Sequence, residues 1–312
     1  MVRGPHWRRC GPGLYVPSAV DDDVVEQRIL EQGSRLGPHG AVSAWAALRW
    51  YGTNFFDGLD LGGRRRLAVP LVVGTDLRPD AQVALSWEQL APSERLLVAG
   101  LPCTTIQRAL FDEMRRTGGL WHAVRSMDMV AAAGLISVRL MRAYVEHRYA
   151  WTGVPLVRRA LDLASDDSRS PQETTLRMVW VVTAGLEVPL CNQPLFGHDG
   201  TLLGYPDIFD PALGVVGEYD GADHLYDDRR RHDTRREERL RDHGLEYFRV
   251  VRGEFSDPDR LAARLIRVRR RASRVRPGAR RWTMEPPAWF DVPESLDERL
   301  DRLGLVEALT HA

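Results

Sequence analysis

The sequence predicts an α/β chain of the α+β kind: a core with a mixed central sheet in the C-terminal half, preceded by a mostly helical α/β domain. Three stretches predict the order of elements in the C-terminal half. Residues 202–209 and 213–219 are apolar runs joined by Asp210-Pro211-Ala212-Leu213-Gly214, which is turn chemistry, so they form an antiparallel hairpin. Ser170-Pro171-Gln172-Glu173 is a helix start, with Ser at the N-cap, Pro in the first turn and Glu at N3. Apolar residues 176–184 continue that helix and Gly185 ends it. Residues 227–243 form a charged helix stopped by Gly244, and 245–251 a last strand. With a first strand at 190–196, the order is helix, three strands, helix, strand.

The chemistry concentrates at the hairpin. Strand side chains alternate faces, so Glu218 and Asp220 point one way and Tyr219 the other. A short turn sets Asp207 opposite or diagonal to Glu218. Three carboxylates on one small surface repel one another unless a cation or an arginine lies among them, and a divalent metal is the economical answer. Oxygen-only ligation suits Mg²⁺ or Mn²⁺ and argues against zinc. Cys10, Cys103 and Cys191 are scattered, without metal-ligand spacing.

Pro206-Asp207 followed by Glu218-Tyr219-Asp220 resembles the signature of PD-(D/E)XK nucleases, in the branch related to the very-short-patch-repair endonuclease. The resemblance implies a restriction-endonuclease-like αβββαβ core over residues 170–275 and a Mg²⁺- or Mn²⁺-dependent endonuclease acting on DNA. It makes Asp207, Glu218 and Glu173 metal ligands, and Asp207, Glu218, Asp220 and Glu173 catalytic residues. The signature lysine two positions after Glu218 is replaced by Asp220, and the chain contains no lysine. His224 is expected to accept or donate a proton, since its charge is adjustable near neutrality. Gln193 is expected to position the attacking water. Asp233, Arg236, Glu237 and Leu240 fall on one helix face, with Leu240 as its apolar anchor. Residues 260–281 hold ten arginines and no acid, a basic helix for phosphates. Arg236, Arg267, Arg270 and Arg271 are the expected nucleic-acid contacts.

The first half carries a second resemblance. Trp7-Arg8-Arg9-Cys10-Gly11-Pro12-Gly13-Leu14-Tyr15-Val16-Pro17 resembles the β-wing of AbiEi-type antitoxins of toxin-antitoxin systems. The segment from Gly40 to Gly52 and the run Leu101-Pro102-Cys103-Thr104-Thr105-Ile106-Gln107-Arg108-Ala109-Leu110-Phe111-Asp112 resemble later parts of that family. This implies a wing remnant at 1–18, an antitoxin-like domain at 19–164 and a toxin protein as partner. Trp45, Trp50 and Phe55 are expected in its core, and Thr104 with Thr105 as a helix cap. A non-catalytic DNA-binding regulator that retains the nuclease fold is the alternative function. Residues 165–170 are the expected linker and 276–312 a basic-then-acidic tail.

A length of 312 residues and a 44% hydrophobic fraction suffice for two cores. With 43 basic and 43 acidic residues, affinity for nucleic acid must come from local patches. Unpaired cysteines, no apolar run of membrane length and no signal-peptide core are the expectations for a cytoplasmic chain.

Overall fold

In the computed structural model, the described residues are 5–60, 62–74, 77–116, 118–221 and 227–306, with the backbone alone described at 227–234. The chain is mixed α/β and divides into two compact units. One holds the described residues up to Asp162 together with those from Leu296 onward, and the other is Leu163–Ser295. Among the described residues no helix is long and apolar enough to cross a membrane.

In the first unit, β1 (Trp7–Gly11) and β2 (Leu14–Pro17) form an antiparallel hairpin over the segment expected to be a wing. Arg8 reaches Glu31 of α1 (Val25–Gly33) at 2.6 Å and ties the hairpin down. The rest of the unit is less helical than expected. β3 (Ala41–Val42), β4 (Val69–Val72), β5 (Val83–Ser86), β6 (Arg95–Val98) and β7 (Leu101–Thr104) make a five-stranded mixed sheet, in the order β5-β4-β3-β7-β6. These strands are short and several are flanked by polar loops, so their periodicity is weak in sequence. The helices are α2 (Ala44–Trp50), α3 (Ile106–Arg116), α4 (Gly119–Ala132), α5 (Val138–Glu146) and α6 (Val154–Leu163). Trp45 is buried, Trp50 and Phe55 are half-buried, and Phe56 takes the core position expected of Phe55.

A buried ion network ties α3 to its surroundings. Arg108, with no exposed surface, donates from Nε to Asp112 at 3.0 Å and from Nη1 to Glu94 at 2.9 Å. Asp112 also accepts Arg115 Nη2 at 2.7 Å and the Ser43 hydroxyl at 2.9 Å. Glu94 accepts Tyr144 at 2.5 Å and Arg148 at 2.8 Å. Each buried charge is thereby opposed, as burial demands. Thr105 Oγ1 accepts the Arg108 N–H as the expected cap, whereas Thr104 Oγ1 donates to Ser43. A helix at Leu296–Arg302, in the stretch expected to be a tail, returns to this unit: Asp297 accepts Ser137 Oγ at 2.5 Å and Arg139 Nε at 2.9 Å.

The second unit opens with α7 (Pro171–Met178). Ser170 Oγ accepts the Glu173 N–H at 3.1 Å and Glu173 Oε2 accepts the Arg169 N–H at 2.8 Å, which is the expected capped start. The helix widens into a π-helical turn, Val179–Thr183, and Gly185 ends it at φ 63°. The expected strand 190–196 is broken at Asn192, whose φ of 49° is left-handed. Leu190 bridges Phe209, while β8 is Leu195–Gly197. The expected strand 202–209 is likewise two: β9 (Leu202–Gly204) and β10 (Ile208–Asp210). Gly204, at φ 136°, bends the chain between them, so β9 pairs β8 and β10 pairs β11 (Val215–Asp220). After α8 (Asp227–Asp242) and Gly244 at φ 76°, β12 (Glu246–Val251) runs parallel to β11. Then come α9 (Pro258–Ala272) and β13 (Trp282–Thr283), which pairs β8 instead of belonging to a tail.

The sheet β10-β11-β12 has two distinct faces. Phe209, Val216 and Tyr247 pack on one with Leu240 of α8 and with Leu195, Leu203 and Leu245. Phe248 lies on the other, stacked on Trp180. Arg269 and Arg271 of α9 reach Asp210 and Glu246 on that second face, at 2.8 and 2.7 Å. Gly217 is confined there: a Cβ would lie 2.2 Å from Phe248 and 2.8 Å from Ile208. Gly217→Ala is therefore expected to destabilise the chain by about 1–3 kcal/mol through overpacking, seen as a lower urea midpoint.

Candidate carboxylate site

The ladder pairs Ile208 with Gly217, so the next positions outward, Asp207 and Glu218, face each other. Asp207 Oδ2 accepts the Tyr219 N–H at 2.6 Å, which locks it against β11. Parallel pairing sets Arg249 beside Glu218 and Tyr247 beside Val216, so all four project from one face. Tyr247 donates to Glu218 Oε2 at 2.9 Å. Arg249 donates to Asp220 Oδ2 at 3.1 Å and from Nε to the Tyr247 oxygen at 3.2 Å.

Arg236 of α8 enters from above, its Nη2 2.6 Å from Glu218 Oε1. The contact is an ion pair by distance without hydrogen-bond alignment, and among the described residues no aligned donor bonds the buried Glu218 Oε1. Gly204 lies directly against this guanidinium: a Cβ there would lie 2.7 Å from Arg236 Nη2. Glu173, buried at the start of α7, is near enough to act on Asp207 through its charge.

Burial pushes the Asp207 carboxyl up to about 7; the Glu173 and Glu218 charges add to the rise, and the Tyr219 N–H and Arg236 oppose it. Burial, with the Glu218 charge, pushes Tyr247 up to about 12, so its hydroxyl stays a donor.

The expected residues sort as follows. Asp207, Glu218 and Asp220 share the face, and Arg236 joins them. Gln193 does not: its Nε2 donates to Asp167 Oδ2 at 3.0 Å. The left-handed turn at Asn192 redirects this segment, and Asn192 bonds Glu173 at 2.8 Å and the Asp167 carbonyl at 2.9 Å instead. His224 and the side chain of Asp233 lie outside the described residues. Glu237 pairs with Arg241 at 2.7 Å. Arg267, Arg270 and Arg271 are on α9, across the sheet from the carboxylates, and Arg271 is occupied by Glu246. Sequence reasoning passed over Tyr247 and Arg249; their alternation in the run Glu246-Tyr247-Phe248-Arg249-Val250-Val251 was the available signal.

Asp207 and Glu218 are the pair that could hold a metal. Magnesium is commonly held by one or two carboxylates plus water and substrate phosphate, and a metal at Glu218 Oε1 would have to displace the Arg236 guanidinium 2.6 Å away. Among the described residues no group of three acidic, His or Cys side chains stands at metal-binding spacing. Glu173, turned toward the Arg169 N–H and Asn192, is the expected ligand that is not assembled. The first unit also holds a cavity of about 640 Å³ beside Asp112 and Glu113. Both carboxylates there are engaged, Asp112 by arginines and Glu113 by the Trp45 N–H and His122.

A pH dependence follows from Asp207. Its folded pKa lies above the ordinary 3.8, so the native state holds the proton more tightly than the unfolded chain. The associated stability is full below about 4 and is lost as pH rises toward about 7. In chelator, urea unfolding across this range is expected to show that decline for the wild type and a shallower one for Asp207→Asn.

No protein-family model matches the chain, and comparison with curated proteins and with solved structures found no match.

Proposed function

We propose that the second unit is a metal-dependent endonuclease that hydrolyses phosphodiester bonds of DNA, with Asp207 and Glu218 as the metal-holding pair. The observation that carries this reading is their juxtaposition across β10 and β11, with an Asp207 carboxyl pushed up to about 7. Like charges held this close gain from a dication. The order α7, antiparallel strands, α8 and parallel β12 supports the nuclease resemblance.

A bound Mg²⁺ or Mn²⁺ supplies Lewis acidity and a water of lowered pKa. The chain's own residues do the rest. Tyr247 orients Glu218 through Oε2, while Arg236 faces Oε1. Arg236 and Arg249 bring guanidiniums to Glu218 and Asp220, and offer countercharge to a phosphate.

Those two arginines also favour a second reading. Arg236 against Glu218 and Arg249 against Asp220 already compensate the acids without a metal, as a non-catalytic DNA-binding regulator would require. Plasmid, single-stranded DNA and RNA incubated with Mg²⁺, Mn²⁺ or chelator separate the two. The nuclease reading expects metal-dependent cleavage that falls by more than about 100-fold in Glu218→Ala and Asp207→Ala, since even residues behind metal ligands matter 10–100-fold. Binding without cleavage in either metal selects the regulator, and cleavage unchanged by both substitutions removes the enzyme reading.

A further inference from the structure

We infer that the outer ridge of α9 is a second polyanion-binding surface, separate from the carboxylate site, whose partner is the phosphate backbone of duplex nucleic acid. At 100° per residue, Arg260, Arg267, Arg270 and Arg274 fall within a stripe about 80° wide. Arg274 lies in the turn just past the helix end. The stripe lies opposite the buried face formed by Leu261, Ala262, Leu265, Val268 and Ala272. All four arginines are exposed, and among the described residues none of them meets a carboxylate.

The flanking arginines behave differently. Arg264 is held by Glu254, Arg269 by Asp210 and Arg271 by Glu246. The helix therefore sorts its cations: those beside the sheet are paired internally and those on the crest are left to solvent. From Arg260 to Arg274 at 1.5 Å per residue, the ridge is about 21 Å long, the length of about six base pairs.

A basic helix can also lie on an anionic membrane, but that mode buries an apolar face in the lipid. The apolar stripe of α9 is already buried against its own unit, so charge alone is on offer, and that favours a phosphate backbone. The crest faces away from sheet β10-β11-β12 on the side opposite Asp207 and Glu218, so the ridge is no extension of that site and does not rest on its being a nuclease.

The test is fluorescence anisotropy with a labelled duplex of about 30 base pairs, in chelator, from about 50 to 300 mM KCl. Each phosphate contact contributes about 0.9 to the slope of log K against log salt, so R267Q/R270Q/R274Q is expected to lower the slope by about 3 and each single variant by about 1. All three positions are exposed, so an unchanged melting temperature accompanies the change. An unchanged slope in the triple variant overturns the inference, as does binding to phosphatidylserine vesicles with none to duplex. Because the measurement excludes metal, a failed ridge leaves cleavage by the carboxylate site to be judged separately, and an inactive carboxylate site leaves the ridge standing.

Discussion

The parallel pairing of Val215–Asp220 with Glu246–Val251 is the constraint on which the second unit depends. Six consecutive pairs leave no freedom in register, and a slip of one residue would send every side chain to the other face. In the observed register Glu218 and Asp220 stand beside Arg249 and near Tyr247, while Phe248 and Val250 turn toward the π-helical turn and α9. Chemistry and packing are thus divided between two faces of one sheet. Gly217 sits at the crossing point, where only hydrogen fits between Phe248 and Ile208.

Charge is managed differently on the two faces. On the carboxylate face, acids are crowded and partly buried, and arginines from β12 and α8 come to them at 3.1 and 2.6 Å. The compensation is incomplete at Asp207, whose carboxyl retains a raised pKa. On the far face the imbalance is reversed. Asp210 and Glu246 anchor the arginines nearest the sheet, and among the described residues the crest arginines of α9 meet no carboxylate. A chain with zero formal net charge thereby presents local fields of both signs.

In the first unit the corresponding anchor is Arg108, buried between Glu94 and Asp112. Without Arg108, Glu94 would keep Arg148 and Asp112 would keep Arg115, but the link between the two buried acids would be lost. Three residues of the motif run from Leu101 to Asp112 belong to this network: Thr104 and Asp112 reach Ser43 at the start of α2, and Arg108 joins β6, through Glu94 just ahead of it, to α3.

Local chemistry was legible wherever neighbouring residues sufficed. The cap at Ser170 and Glu173, the turn at Asp210–Gly214, the stop at Gly244 and the shared face of Asp207, Glu218 and Asp220 could all be read from spacing, because capping and alternation act over two to four residues. The broken strands were less legible, since Gly204 and Asn192 adopt backbone angles that composition does not announce. What tertiary structure alone decided was which charges meet. Gln193 went to Asp167 and not to the site, Arg249 and Arg236 came to the carboxylates from distant segments, and Arg271 was spent on Glu246 while Arg260 and Arg274 were left on the crest. Ion pairing is set by distance in space, and a run of arginines in sequence does not say which will find an acid until strands and helices have been brought together.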